Sequence, residues 1–244
     1  MLSYSRILSL SFFFISWQVL AILIASDTFP TAIDVFKSLL FHLFEGELLE
    51  HLFITLTRVL IAFSIAMSLG VFFGILMGSF KRVDNAFDTI LVIGLNIPAL
   101  VTIIICYIWF GLTDTAALLA VIINKVPTVI VTIREGARAI DKKYMQIAHI
   151  YKVSRFETIT KVYLPQIYPY IMASARTGLS LIWKIVLVVE LLGRSSGMGF
   201  QLSMFFQFFD ITSIMAYSMA FIIVILFIET YILRPLDLKA NKWR

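Results

Sequence analysis

Residues 52–80 read LFITLTRVLIAFSIAMSLGVFFGILMGSF, and this stretch decides the fold. Between Leu52 and Phe80 only Arg58 carries a charge. A bilayer core needs ~20 apolar residues of helix, so this run is long enough to cross at a tilt. Gly70, Gly74 and Gly78 recur every four residues. That spacing places them on one helix face, where small residues let a second backbone come close. Tight helix packing is the expected role of these glycines.

The rest of the chain has the same character. Of its 244 residues, 60% are hydrophobic and 14% charged, with a mean hydropathy of +0.95. Soluble domains run near ~45–50% apolar and ~25% charged. Too much apolar surface is present for self-burial, and lipid solves that problem. Five further spans are expected at 7–25, 87–110, 116–133, 167–192 and 211–233. The 7–25 run follows Arg6. It exceeds the ~7–15 residues of a signal-peptide core, with no A-x-A site after it, and is read as a retained helix. Residues 30–49 carry Asp34, Lys37, Glu45 and Glu47 and are read as an interfacial helix and loop. The expected parts are a first helix with a periplasmic segment (1–51), a core (52–235) containing a polar loop at 134–165, and a basic tail (236–244). Pro98 and Pro127 interrupt two spans, where kinks are expected.

Lys and Arg set the orientation. Arg134, Arg138, Lys142, Lys143, Lys152, Arg155 and Lys161 fall between spans four and five. Lys81 and Arg82 follow span two, and Arg234, Lys239, Lys242 and Arg244 follow span six. An all-α protein of about six transmembrane helices with both termini cytoplasmic puts every cluster inside. The net charge of +5 is thereby explained by topology rather than by nucleic acid. The lone Cys106 sits in an apolar run and is read as a small buried hydrophobe. No phosphate-binding loop, H-E-x-x-H or paired Cys/His spacing occurs, and His42, His51 and His149 are scattered. A membrane enzyme therefore has no legible site. If ATP drives this protein, the ATPase is another chain.

Residues 142–165 read KKYMQIAHIYKVSRFETITKVYLP. Tyr144, Ile147, Ala148 and Tyr151 share one helix face. Ser154 and Glu157 form a capping box for a second helix, which presents Phe156, Ile159 and Tyr163. Two short amphipathic helices with a bend near Lys152 and Val153 are expected. Such helices lie on a membrane surface or plug into a partner's groove, and composition does not separate the two.

The segment resembles the EAA loop of membrane subunits of ATP-binding-cassette importers: E-A-A, three residues, G, nine residues, a branched aliphatic, one residue, L-P. Gln146, Ile147, Ala148, Lys152, Val162, Leu164 and Pro165 stand at those positions. Gln146 replaces the acidic residue and Lys152 the glycine. Lysine adopts positive φ much less readily than glycine. Trp183-Lys184, Glu190 to Gly193 and Ser195 to Gly199 resemble the W-K…E…G-S-S-G-L-G region of the nitrate/sulfonate/taurine-type permeases. Thr55 to Val59, Ile97-Pro98 and Trp109 to Gly111 are similar to the same group, so the resemblance spans about residues 50–235.

The resemblance implies a type I importer permease-like core with a cytoplasmic coupling helix in the bacterial inner membrane. Its implied partners are a second permease copy, two cytoplasmic ATPase subunits and a periplasmic solute-binding protein. ATP and Mg would sit on the ATPase, with no cofactor on this chain. Tyr144, Gln146, Ile147, Ala148, Tyr151, Lys152, Val162, Leu164 and Pro165 would couple to that ATPase. Trp183, Lys184 and Glu190 are candidates for the translocation path, Lys184 as an attractor of anionic solute. Ionisable residues at depth (Arg58, Lys125, Arg176, Lys184, Glu190) are functional candidates, with ion pairing or snorkelling as the plain alternative. Lys184 and Glu190 are expected on roughly one side of their helix, and Ser195 to Gly199 as a flexible outer loop. Sulfonate, nitrate, taurine or a thiamine-precursor-like heterocycle are the implied solutes. An ion-gradient-driven secondary transporter or a transporter-associated membrane protein is the alternative, with the lack of a detectable repeat against the former.

Overall fold

The computed structural model describes residues 4–26 and 28–235; the basic tail expected at 236–244 lies outside the described residues. Every regular element there is helical: α1 (Tyr4–Ile24), α2 (Ala32–Phe44), α3 (Leu48–Ser79), α4 (Lys81–Asn96), α5 (Ala99–Phe110), α6 (Asp114–Arg138), α7 (Lys142–Ile150), α8 (Arg155–Glu157), α9 (Leu164–Gly193), α10 (Met198–Gln207) and α11 (Ile211–Ile228). Wider π-helical turns cover Thr158–Tyr163 and Glu229–Leu233.

Helices α3, α6 and α9 pack side by side, with α5 against α6, α10 against α9 and α2 along α11. The glycine face explains the closeness of α3 and α6. A methyl on Gly74 would come within 2.7 Å of the Ile133 Cβ, and one on Gly78 within 2.5 Å of the Ala137 Cβ. Gly70 meets Val129 in the same way. The main core joins Ile103, Ala120, Ile182, Trp183 and Tyr217 from α5, α6, α9 and α11.

On length and composition α3, α6 and α11 with its π turns can cross a membrane, and α4 with α5 makes a fourth crossing if taken together. The six-span count also needs α1, whose apolar stretch Leu8–Ile24 is shorter, and α9, which carries Arg176, Lys184 and Glu190.

The span expected at 87–110 is not one straight helix. It breaks between α4 and α5 with a bend of 97°. Pro98 has no N–H and pushes Ile97 into extended backbone (φ −73, ψ 122). The Pro98 carbonyl then accepts the N–H groups of Val101 and Thr102 and opens α5. Pro127, by contrast, stays inside a continuous α6. Its ring packs on Gly94, where a methyl would sit 3.0 Å from Cγ.

Candidate functional site

The 142–165 segment folds as two short helical pieces around a sharp bend. The Asp141 carboxylate accepts the Lys143 N–H (2.8 Å) and caps α7. The far end of α7 closes as a Schellman motif: Val153 N–H donates to Ala148 O (2.9 Å) and Lys152 N–H to His149 O (3.0 Å). Lys152 takes the left-handed position, with φ +51. The bend that glycine would make freely is thus made by lysine, at a steric cost of ~1 kcal/mol. Lys152→Gly is expected to stabilise the bend by about that amount, read as slower hydrogen exchange at Lys152 and Val153.

Ser154 Oγ caps α8 by accepting the Glu157 N–H (3.2 Å), and Lys161 holds Glu157 at 2.8 Å. The threonines at 158 and 160 donate to the carbonyls of Ser154 and Phe156. Such back-bonding competes with the helix ladder, and the chain widens into π turns there. Gln166 bridges the two ends, accepting the Asp141 N–H (3.0 Å) and donating to Val162 O (2.9 Å).

This arrangement gathers Tyr144, Ile147, Ala148, Tyr151, Val162 and Pro165 around one cavity of about 610 Å³. Gln146 and Leu164 stay outside it, exposed. The four-residue face splits in two. Ala148 is 4% exposed, whereas Ile147 is 49% and Tyr151 78% exposed, and Ile150 joins them on the surface. Arg134 binds Asp84 (3.2 Å) and Asp88 (2.6 Å), and Arg138 also pairs with Asp84. These pairs tie α4 to the end of α6 that leads into α7.

At the opposite end of α9 the polar residues of three sequence stretches converge. Glu190 is 0% exposed. Its carboxylate accepts from Arg58 Nη1 (2.7 Å), Thr55 Oγ1 (2.8 Å) and the Gly199 N–H (2.9 Å). Arg58 also donates to Ser196 O (2.7 Å) and, through Nε, to Asp114 (2.8 Å). Asp114 in turn holds Arg194 at 2.9 Å. His51 Nδ1 accepts the Gly197 N–H (2.9 Å), and its Nε2 lies 2.7 Å from the Gln201 side-chain amide and 3.3 Å from Glu47. Gly197 has φ +106, and a methyl there would run into the Glu190 carboxylate.

Two expectations need correcting. Ser195 to Gly199 is a pinned turn, because its backbone supplies the hydrogen bonds that a buried carboxylate and guanidinium require. Glu190 and Lys184 do not share a side: Glu190 is buried toward α3, and Lys184 is exposed. Six residues of helix leave them roughly 120° apart. Trp183 is buried edge-on to Phe221, with centroids 4.9 Å apart. His51, Thr55, Asp114 and Arg194 belong to this network without having been singled out as site residues. Arg58 and Glu190, as charges at depth, need polar partners, and that need was the signal that could have found them.

Residues 70–234 match the family described as binding-protein-dependent transport system inner membrane component. A putative aliphatic sulfonates transport permease protein of Bacillus subtilis is 28% identical over 230 residues, covering 93% of this chain and 83% of that protein. The taurine transport system permease protein of Escherichia coli is 27% identical over 199 residues (82% and 72%). A nitrate import permease protein of Synechocystis is 28% identical over 149 residues (61% and 54%). Among solved structures, an amino acid ABC transporter crystallised with histidines superposes with a TM-score of 0.62. It covers 79% of this chain and 93% of that one at 20% identity, a likeness of fold.

Proposed function

This chain belongs to the binding-protein-dependent transport system inner membrane components, and from that membership we propose how its surfaces divide the work. It is a multi-pass inner-membrane permease of an ATP-binding-cassette importer, a transport subunit rather than an enzyme. In our reading α7 and the turn after it form the coupling helix, seated in a cleft of a cytoplasmic ATPase that carries ATP and Mg. One observation carries this: Ile147, Ile150 and Tyr151 are exposed on a polar loop whose backbone is fixed by the Asp141 cap, the Lys152 bend and the Gln166 bridge. Apolar side chains held rigidly in water favour a partner that covers them, and a rigid lever transmits motion where a floppy one dissipates it.

Two copies of the chain would enclose the path, with a periplasmic binding protein delivering solute. The relatives named for sulfonates, taurine and nitrate support a small anionic or sulfonated solute. Expressed with its own organism's ATPase subunits, the tagged chain is expected to retain one of them through purification. The complex is expected to hydrolyse ATP faster with loaded binding protein. A chain that purifies alone and moves solute on an ion gradient without ATP overturns the proposal.

A further inference from the structure

Ionisable side chains set among the apolar lengths of the long helices include Arg58 on α3, Lys125 on α6, Arg176, Lys184 and Glu190 on α9, and Glu229 just past α11. Four of them are neutralised in pairs. Arg58 binds Glu190 at 2.7 Å, and Arg176 Nε donates to Glu229 at 2.8 Å. Lys125 and Lys184 have no carboxylate within ion-pair distance among the described residues. Both lysines of the set are therefore left without a carboxylate of their own.

Their positions differ in a useful way. Lys125 is 3% exposed and lies across α9 at Gly178, where a methyl would sit 3.1 Å from its Cε. Lys184 is exposed on α9, about 14 Å of helix rise from its Gly193 end. It continues an exposed polar stripe with Thr177 and Ser180, at i, i+3 and i+7. The Thr177 hydroxyl bonds back to Ala173 O (3.0 Å), but an ammonium at that depth is costly to leave against lipid. It belongs against water, at a face closed off by a second copy of the chain.

We propose that Lys184 is an anion-binding station on the solute path, taking small monovalent oxyanions such as nitrate or an alkanesulfonate. The inference rests on the permease reading and names the side chain that meets its anionic solute. Across a two-fold axis two Lys184 ammonium groups face one anion, which is their missing counterion. Two cations around a single negative charge attract it, yet both copies keep hydration and hydrogen-bonding alternatives, so the anion is held weakly enough to leave.

The chain's one cysteine makes a clean test possible. In a Cys106→Ala parent, Lys184→Cys is placed in the complex with its ATPase and binding protein in proteoliposomes. Uptake of labelled nitrate and methanesulfonate is read before and after methanethiosulfonate labelling. Uptake is expected to fall about tenfold in Lys184→Cys, the size of one charge-assisted contact. The aminoethyl reagent, which returns a positive charge, is expected to restore most of it, and the sulfonatoethyl reagent none. Wild-type uptake by Lys184→Cys, or equal rescue by both reagents, overturns the inference. Loss of the ATPase from the parent strikes the permease reading itself. An intact, ATP-hydrolysing Lys184→Cys complex whose introduced thiol stays unlabelled strikes this inference alone.

Discussion

Ile147→Asp combined with Tyr151→Asp is expected to yield a folded permease that purifies without its ATPase and transports nothing. Both side chains are exposed, at 49% and 78%, so the free chain loses little when they change. In the proposed complex they are the apolar anchors of the coupling helix. Anchors of that kind contribute about 2 kcal/mol or more each. Placing two carboxylates in the same desolvated cleft adds to the loss, so binding should weaken by at least ~100-fold. The measurement is ATPase retained on the tagged permease, with the thermal unfolding midpoint as a control for folding. Ala148 is the wrong residue for this test, although it lies on the same predicted face. At 4% exposure and in the Schellman turn, Ala148→Asp would damage the loop itself. Retention of the ATPase by the double variant would show that the contact lies elsewhere.

Glu190→Ala is expected to be the most destabilising single change at the Gly193 end of α9. Removing one partner of a buried ion pair costs about 3–5 kcal/mol, because the remaining charge is left buried. Here Arg58 would keep Asp114 and Ser196, which places the effect toward the lower end of that range. The N–H group of Gly199 would also lose its acceptor, whereas the hydroxyl of Thr55 would keep the His51 carbonyl. The expected result is a marked drop in the thermal midpoint of the detergent-solubilised chain, with the 195–199 turn becoming open to protease. Replacing both partners, Arg58→Met with Glu190→Met, should recover part of the loss, since no unpaired charge remains. A double variant as unstable as Glu190→Ala alone would mean that the pair itself is not what holds the turn.

Much of the candidate site was legible because it is local. The bend at Lys152, the Ser154 cap and the helix before them depend on neighbours within five residues, and such patterns are written in order along the chain. The 142–165 boundaries came from the same short-range periodicity. The pairing of Arg58 with Glu190 spans 132 residues, and no spacing rule relates them. That Lys184 and Glu190 diverge was available from helix geometry, yet which of the two turns inward depends on where α3 and α6 lie.

Hydropathy and charge placement by themselves determined that this chain lives in a bilayer as helices, because the free energy of moving apolar side chains into lipid is additive along the sequence. The glycine spacing determined which face of α3 admits a neighbour. Tertiary structure alone decided that this neighbour is α6, how far the expected break at Pro98 bends (97°), and that the 195–199 turn is clamped by a buried carboxylate. Those outcomes depend on which long-range partners satisfy each buried charge and backbone group, and that accounting closes only when the whole bundle is assembled.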